Sequence, residues 1–499
     1  MLQDRLRRIG ARTHGGAEAV LRALGSRWTT ALVVLWLGLG SAFIAATARI
    51  GMVFDEVWHL DSIRVYTAHA LPWFSNDVEQ EGVGAISRSS SYLYHYVLSF
   101  PERWMADAGT PEIDRVIVLR LLTVAMHVGA LLCMIGAVRA AGVSGAVANL
   151  AGIAYAALPV TPFLAAHVNY DSAMLLLVAA CGWSAVRQWR SERVSWLGGL
   201  ATVALGLTAV LVKFNAAPLV LVLFGFVLLR AIRGGRRPSV PTRTRGWVAL
   251  GGAALVVAVL TLLCIERFVG NIVQFGAPSP DCALVLDAAR CSTYGPWQRN
   301  EEADAAFADI PIALGTGAQF LFDIWIPRLM LYLQAVWFWF APPVVSTLVT
   351  VAIPVAVIST TAIAVIAAPT APRRRELLPL VLASVAFIAV LFWHNYSEWR
   401  AFGEPFGVQG RYLLPAVVPI VALAMHGAAD SIRRSRIGAP ILAIAAVAMV
   451  IVATQGGAAA WIVSSQGSWY AEEGPFIGVV DIVRRGVDLF VGLVPVPSI

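Results

Sequence analysis

The chain has 499 residues, 58% of them hydrophobic and 13% charged, with a mean hydropathy of +0.73. No water-soluble fold of this length needs so much apolar surface, so the sequence describes an integral membrane protein. The formal net charge of +7 comes from arginines grouped in short loops between apolar runs; a basic stripe interleaved with aromatics is missing, which argues against a nucleic-acid partner.

Apolar runs of about 20 residues, enough to cross a bilayer as a helix, recur at 29–50, 116–138, 143–165, 170–187, 195–212, 215–232, 247–265, 344–368, 377–395, 412–430 and 438–463. Lipid cannot satisfy exposed backbone polar groups, so they predict an all-α polytopic membrane protein with about eleven transmembrane helices. Arg5, Arg7, Arg8, Arg12, Arg22 and Arg27 precede or open the first run, which places the N-terminus in the cytoplasm. Ala46-Thr47-Ala48 resembles a signal-peptidase site, but the run before it exceeds a signal core of roughly 7–15 residues and reads as an uncleaved anchor.

The same topology puts "RQWRSER" (187–193), "RAIRGGRRPSVPTRTR" (230–245), "PRRRE" (372–376) and "RRSR" (433–436) inside, as the first arginines require. The segment 318–342 breaks the parity if it spans. With Asp323, Pro327, Arg328 and a tryptophan-rich end, it reads as a helix in the outer interface. The organisation is then a membrane domain over 1–463 with outer loops 51–115 and 266–343, and a short outer tail over 464–499. Cys133, Cys181 and Cys264 fall in spans and pack. Cys282 and Cys291 share an outer loop, where an oxidising compartment favours a disulfide.

Polar residues gather at the outer boundaries. "FDEVWHL" sets Asp55, Glu56 and His59 just beyond the first span; on a helix, His59 shares a face with both acids and the trio could hold a proton or a divalent metal. Burial beside Phe54 and Trp58 would raise a carboxyl pKa and make a better general base, while the plain alternative is a helix cap with Asp55 as the capping residue. "HVNYDSAML" supplies His167, Asn169 and Asp171. "LVKFNAAPL" supplies Lys213, the one lysine among 37 basic residues, placed to bind a phosphate or to snorkel. "GVQGRYLLP" adds Gln409, Arg411 and Tyr412, with the arginine suited to bidentate phosphate binding. The inner boundaries carry only arginine clusters, so a single outward-facing polar site is expected.

At these residues the chain resembles the C-type (GT-C) glycosyltransferase superfamily, polytopic enzymes that take a sugar from a polyprenyl-phosphate carrier. The likeness rests on a first outer loop opening with Asp55-Glu56, on "HVNYDSAML", and on "GVQGRYLLP" before a late span. It is nearest to a largely uncharacterised bacterial group with "DE-x-x-H" and "QGRY-x-L-P" patterns. The resemblance implies a GT-C-like architecture, Asp55 as base with Glu56 assisting, and Lys213 or Arg411 as phosphate ligands. His59, His167, Asn169, Asp171, Gln409 and Tyr412 would line sugar or acceptor subsites. Acceptor recognition would fall to the two outer loops, since the large soluble C-terminal domain of some relatives is not seen here.

The expected reaction moves a sugar to a hydroxyl of a cell-envelope glycan or glycolipid on the outer face of a bacterial inner (plasma) membrane. Inversion is expected, because a second positioned carboxylate for a covalent route is not identified. No nucleotide-binding glycine loop is visible, which agrees with a lipid-linked donor. Two other readings start from the same residues. A transporter or flippase for lipid-linked saccharides would use Asp55, Asp171 and Lys213 as a path, though no inverted repeat is evident. A metalloprotease would need H-E-x-x-H where the chain has only Glu56-x-x-His59.

Overall fold

The computed structural model describes residues 19–52, 55–74, 82–233, 244–307, 317–334, 347–367, 374–434, 438–455, 457–458, 469–472 and 474–493. Its elements are helices: α1 (Arg27–Thr47), α2 (Glu56–Thr67), α3 (Leu93–Asp107), α4 (Glu112–Ala140), α5 (Gly145–Ala157), α6 (Val160–Ala166), α7 (Tyr170–Arg190), α8 (Trp196–Val212), α9 (Ala217–Arg233), α10 (Thr244–Cys264), α11 (Gly295–Phe307), α12 (Ile326–Gln334), α13 (Thr347–Ala367), α14 (Arg374–Phe402), α15 (Leu414–Arg434), α16 (Gly438–Gln455) and α17 (Ile477–Leu493). A helix lies over the described part of every predicted span; residues 344–346, 368, 456 and 459–463 of those ranges are outside the described set.

Six helical stretches are individually long and apolar enough to cross a membrane: Arg27–Thr47, Glu112–Ala140, Phe214–Arg233, Thr244–Phe275, Arg375–Phe402 and Gly410–Ala428. The protein is therefore an all-α, multi-pass membrane protein. Helix α8 and the central parts of α13 and α16 are apolar but shorter. The predicted straight span 143–165 is instead broken, with α5 and α6 bent by 74°. Pro159 is the cause: it disfavours the helical region for the residue before it, and Leu158 accordingly adopts an extended conformation at ψ 128°. Beyond that bend the chain brings the Val168 amide to Glu56 at 3.1 Å and Asp171 to Lys213 and Arg411.

Helix starts follow their caps. Ser26, Ser144, Asn169 and Ser195 each accept a hydrogen bond from the amide three residues on, satisfying one of the orphan donors of a first turn. Helix α4 is the central post. Its buried residues run from Val116 to Val138 and belong to one continuous apolar cluster with α1, α5, α7 and α15.

The two long loops expected on the outer face are bound to each other. The Arg267 guanidinium, fully buried, donates to the carbonyls of Ser87 at 2.9 Å, Ser89 at 3.0 Å and Pro72 at 3.1 Å and lies 4.2 Å over the Tyr92 ring. Cys282 and Cys291 are joined by a disulfide, and their small cluster packs against Ala85, Tyr294 and Trp297. Residues 317–334 are helical and pack through Phe320, Trp325 and Leu329 onto α14; the tryptophan-rich residues 336–341 lie outside the described set. Within the predicted tail, Ala48 bridges Tyr470: Arg49 N donates to Trp469 O and Ala471 N to Thr47 O, both at 2.9 Å. The tail is thus tied to the end of α1 and continues into α17.

Candidate active site at the helix ends

The adjacent carboxylates part company. Glu56 is 1% exposed and faces inward, where Arg120 grips it with Nε on Oε1 at 2.8 Å and Nη2 on Oε2 at 2.7 Å. The amides of Gly51 and Val168 donate to the same carboxylate at 3.0 and 3.1 Å. Burial alone would raise the Glu56 carboxyl, but the Arg120 charge and these donors outweigh it and hold it at about 2. Arg120, itself fully buried, also donates to the carbonyls of Ala45, Ala48 and Arg49. The Glu56–Arg120 pair therefore clamps the end of α1, the start of α2 and the 167–169 turn onto α4. With every lone pair engaged, Glu56 has none to offer a substrate.

Asp55 stands in the open. Its side chain is 55% exposed, so the expected withdrawal of the acid beside Trp58 is not what the fold provides; Phe54 lies outside the described residues. Nor does Asp55 cap α2, since its side chain makes no capping hydrogen bond. Its backbone is left-handed at φ 59°, the one non-glycine residue among those described with positive φ. Such conformations cost energy and persist where the surroundings impose them. Here the inward pull on Glu56 dictates that Asp55 turn the other way.

Asp55 faces a cation. Arg411 Nη2 is 3.3 Å from Asp55 Oδ2, and Arg411 Nε is 3.5 Å from Asp171 Oδ2. Lys213 Nζ is ion-paired with Asp171 Oδ1 and sits 4.4 and 4.5 Å from the ring centroids of Tyr170 and Tyr412. Four segments far apart in sequence thus bring Asp55, Asp171, Lys213, Arg411 and Tyr412 together. Local structure aims each of them: Lys213 is the extended residue that ends α8, Asp171 is in the first turn of α7, and Arg411 lies on the 3-10 turn Gly410–Leu413 that leads into α15.

That turn depends on Gly410. A Cβ there would stand 2.4 Å from Leu333 N and 2.6 Å from Tyr332 C of α12, and backbone cannot yield as a side chain can. Gly410→Ala should therefore displace Arg411 and destabilise the fold by about 1–3 kcal/mol through overpacking. A lowered melting temperature in detergent is the readout.

The remaining sequence candidates divide between support and lining. Asn169 caps α7 through Ser172 N and donates to the Leu164 and His167 carbonyls at 2.7 Å, and His167 is buried with Nδ1 bonded to Phe163 O. Both shape the turn that carries Asp171. His59 is buried against His95, Nδ1 to Nε2 at 2.8 Å, inside a box of Trp58, Tyr94 and Tyr170. Burial, then the His95, Arg411 and Lys213 charges, hold the His59 imidazole well below its ordinary pKa, and burial lowers His95 to about 3. Both rings are neutral beside the cations. Gln409 is half-buried at the start of the Arg411 turn.

Sequence reading missed Arg120, His95, Tyr294 and Arg299. Arg299, on α11, lies 4.1 Å over the Phe406 ring; burial lowers its pKa, and the Glu398 and Asp55 carboxylates act against that. Burial pushes the Tyr294 phenol up to about 12, with the Asp55 carboxylate among the charges it feels. Among the described residues no three His, Cys, Asp or Glu side chains are grouped to hold a metal ion, so no step is routed through the divalent metal considered from sequence.

An apolar groove of 460 Å³ opens between α5, α12, α13, α15 and α16, lined by residues such as Leu333, Ile353, Val357 and Val417. Its lining includes Leu413, two positions from Arg411 on the turn that leads into α15.

No protein-family profile matches the chain, and no curated protein does. Among solved structures, the crystal structure of the Archaeoglobus fulgidus oligosaccharyltransferase in its apo form is similar at 14% identity and a TM-score of 0.41, over 89% of this chain and 59% of that one. The chain thus spans less than two thirds of that protein.

Proposed function

We propose that the chain is a C-type membrane glycosyltransferase that moves a sugar from a polyprenyl-phosphate donor to a hydroxyl of a cell-envelope glycan or glycolipid on the outer face of a bacterial plasma membrane. One observation carries the reading: Lys213 and Arg411, held by Asp171, face an exposed carboxylate, Asp55, and the turn that carries Arg411 supplies Leu413 to the lining of an apolar groove. An anionic head on a long apolar tail fits that combination.

In this reading the acceptor oxygen attacks the anomeric carbon, the carbon–oxygen bond to phosphate breaks, and the carrier phosphate departs with the electron pair. Lys213 and Arg411 neutralise it where charge develops. Asp55 takes the hydroxyl proton, general-base help worth roughly 10²–10⁴-fold. Glu56 and Asp171 are both committed to cations, so a covalent double displacement lacks its second carboxylate and the transfer inverts. Tyr170 and Tyr412 flank the ammonium and shield it from bulk water. Glu56, Asn169 and His167 position the site from behind.

Lys213→Ala and Arg411→Ala should each weaken binding of a polyprenyl-phosphate sugar by roughly 10–100-fold, the range for losing a charge-assisted hydrogen bond. Binding of labelled donor to the purified variants checks this, and wild-type affinity in both would remove the phosphate assignment.

A further inference from the structure

The same helices that carry the candidate active site build a second polar feature at their other ends. At about 1.5 Å per residue, the stretches 120–139 of α4 and 171–187 of α7 run roughly 24–29 Å, close to the hydrocarbon thickness of about 30 Å. There a cavity of 990 Å³ lies between α1, α4 and α7, lined by Arg139, Arg187, Arg190, Trp183, Cys133 and Leu176 among others, with no carboxylate among its described lining residues.

The three guanidinium groups are unequally engaged. Arg139 Nη2 donates to Thr30 Oγ1 at 2.7 Å and to Asn149 Oδ1 at 3.0 Å, while its buried Nε has no hydrogen-bond partner. Arg190 Nη1 donates to Ala140 O at 2.5 Å. The exposed Arg187 guanidinium makes no hydrogen bond or ion pair among the described residues. Trp183, 38% exposed, lies against Gly136, where a Cβ would meet its ring at 3.0 Å; the missing side chain lets the indole lie flat and form one wall. Below the arginines the walls are Leu132, Cys133 and Leu176, which suit an acyl chain.

From this the geometry points to a binding site for an anionic phospholipid, its phosphate among Arg139, Arg187 and Arg190 and one acyl chain along Cys133 and Leu176. Charge complementarity selects the head: a zwitterionic lipid would bring a cation into a site that holds three already. The lack of an acid among its described lining residues distinguishes it from the cluster at the opposite helix ends, where Lys213 and Arg411 are ion-paired with Asp171 and Asp55. Basic pockets between membrane helices recognise anionic head groups by this means.

The test is native mass spectrometry of the full chain in detergent, titrated with dioleoyl-phosphatidylglycerol or dioleoyl-phosphatidylcholine. Phosphatidylglycerol should bind tightly and phosphatidylcholine weakly. Arg187→Gln with Arg190→Gln should lower phosphatidylglycerol affinity by roughly 30-fold, about fivefold per arginine. Cys133→Trp, which leaves every charge in place and fills the acyl wall, should weaken it as well. Equal affinity for the two lipids, or unchanged binding in both variants, overturns the assignment. Displacement by millimolar inorganic phosphate also overturns it, since that would identify a free-anion site.

Discussion

Asp55→Asn should lower turnover by about two to four orders of magnitude, the usual contribution of a positioned base, with donor affinity and melting temperature close to wild type. The swap is mild structurally. The side chain is 55% exposed and its contact with Arg411 is 3.3 Å long, a partly solvated pair worth about 0–1 kcal/mol, and asparagine tolerates the left-handed backbone that Asp55 adopts. Steady-state kinetics beside a thermal melt would separate chemistry from folding. Wild-type turnover in a well-folded variant would take Asp55 out of the mechanism.

Its neighbour should behave in the opposite way. Glu56→Leu strands the fully buried Arg120 guanidinium, and removing one partner of a buried ion pair costs about 3–5 kcal/mol. Arg120→Leu should cost at least as much, because three backbone carbonyls lose their donor. In the double variant the two losses should not add, with a coupling energy of roughly 2–3 kcal/mol, measured by denaturation in detergent. Independent, additive losses would contradict the clamp. The acid is also titratable: its folded pKa of about 2 lies below the ordinary 4.5. Its contribution is therefore fully present above pH 4.5 and disappears as the pH falls toward 2.

The fold was legible because it is written in hydropathy. Runs of apolar residues located the helices, of which six among those described are individually long and apolar enough to cross a membrane against about eleven spans expected, and Ser and Asn caps marked several starts. The break at Pro159 was visible as a residue type but not as a bend of 74°, since hydropathy is the same on both sides of it. Boundary chemistry placed Asp55, Asp171, Lys213 and Arg411 at outer ends, and the fold brings all four into contact.

Pairing was what sequence could not supply. Asp55 and Glu56 look alike in the chain, and their roles are separated by Arg120, 64 positions from Glu56 and hidden in a long apolar helix. An arginine inside such a run, five residues into the span 116–138, was the available signal, because a charge there needs a partner. Arg299 gave no such signal, being one of many charges in a polar loop. His95 likewise stood in an ordinary amphipathic stretch, and only tertiary packing sets it 2.8 Å from His59.

The central claim is that this cluster performs sugar transfer, and the most direct measurement is transfer itself, without a sealed compartment. Purified protein in detergent would be supplied with a labelled polyprenyl-phosphate sugar and an envelope glycan or glycolipid acceptor. The account predicts time-dependent movement of label from carrier to acceptor in the wild type, abolished in Asp55→Asn. Tight donor binding with no transfer to any acceptor hydroxyl, in protein that moves the same lipid across sealed vesicles, would contradict it and identify a translocator.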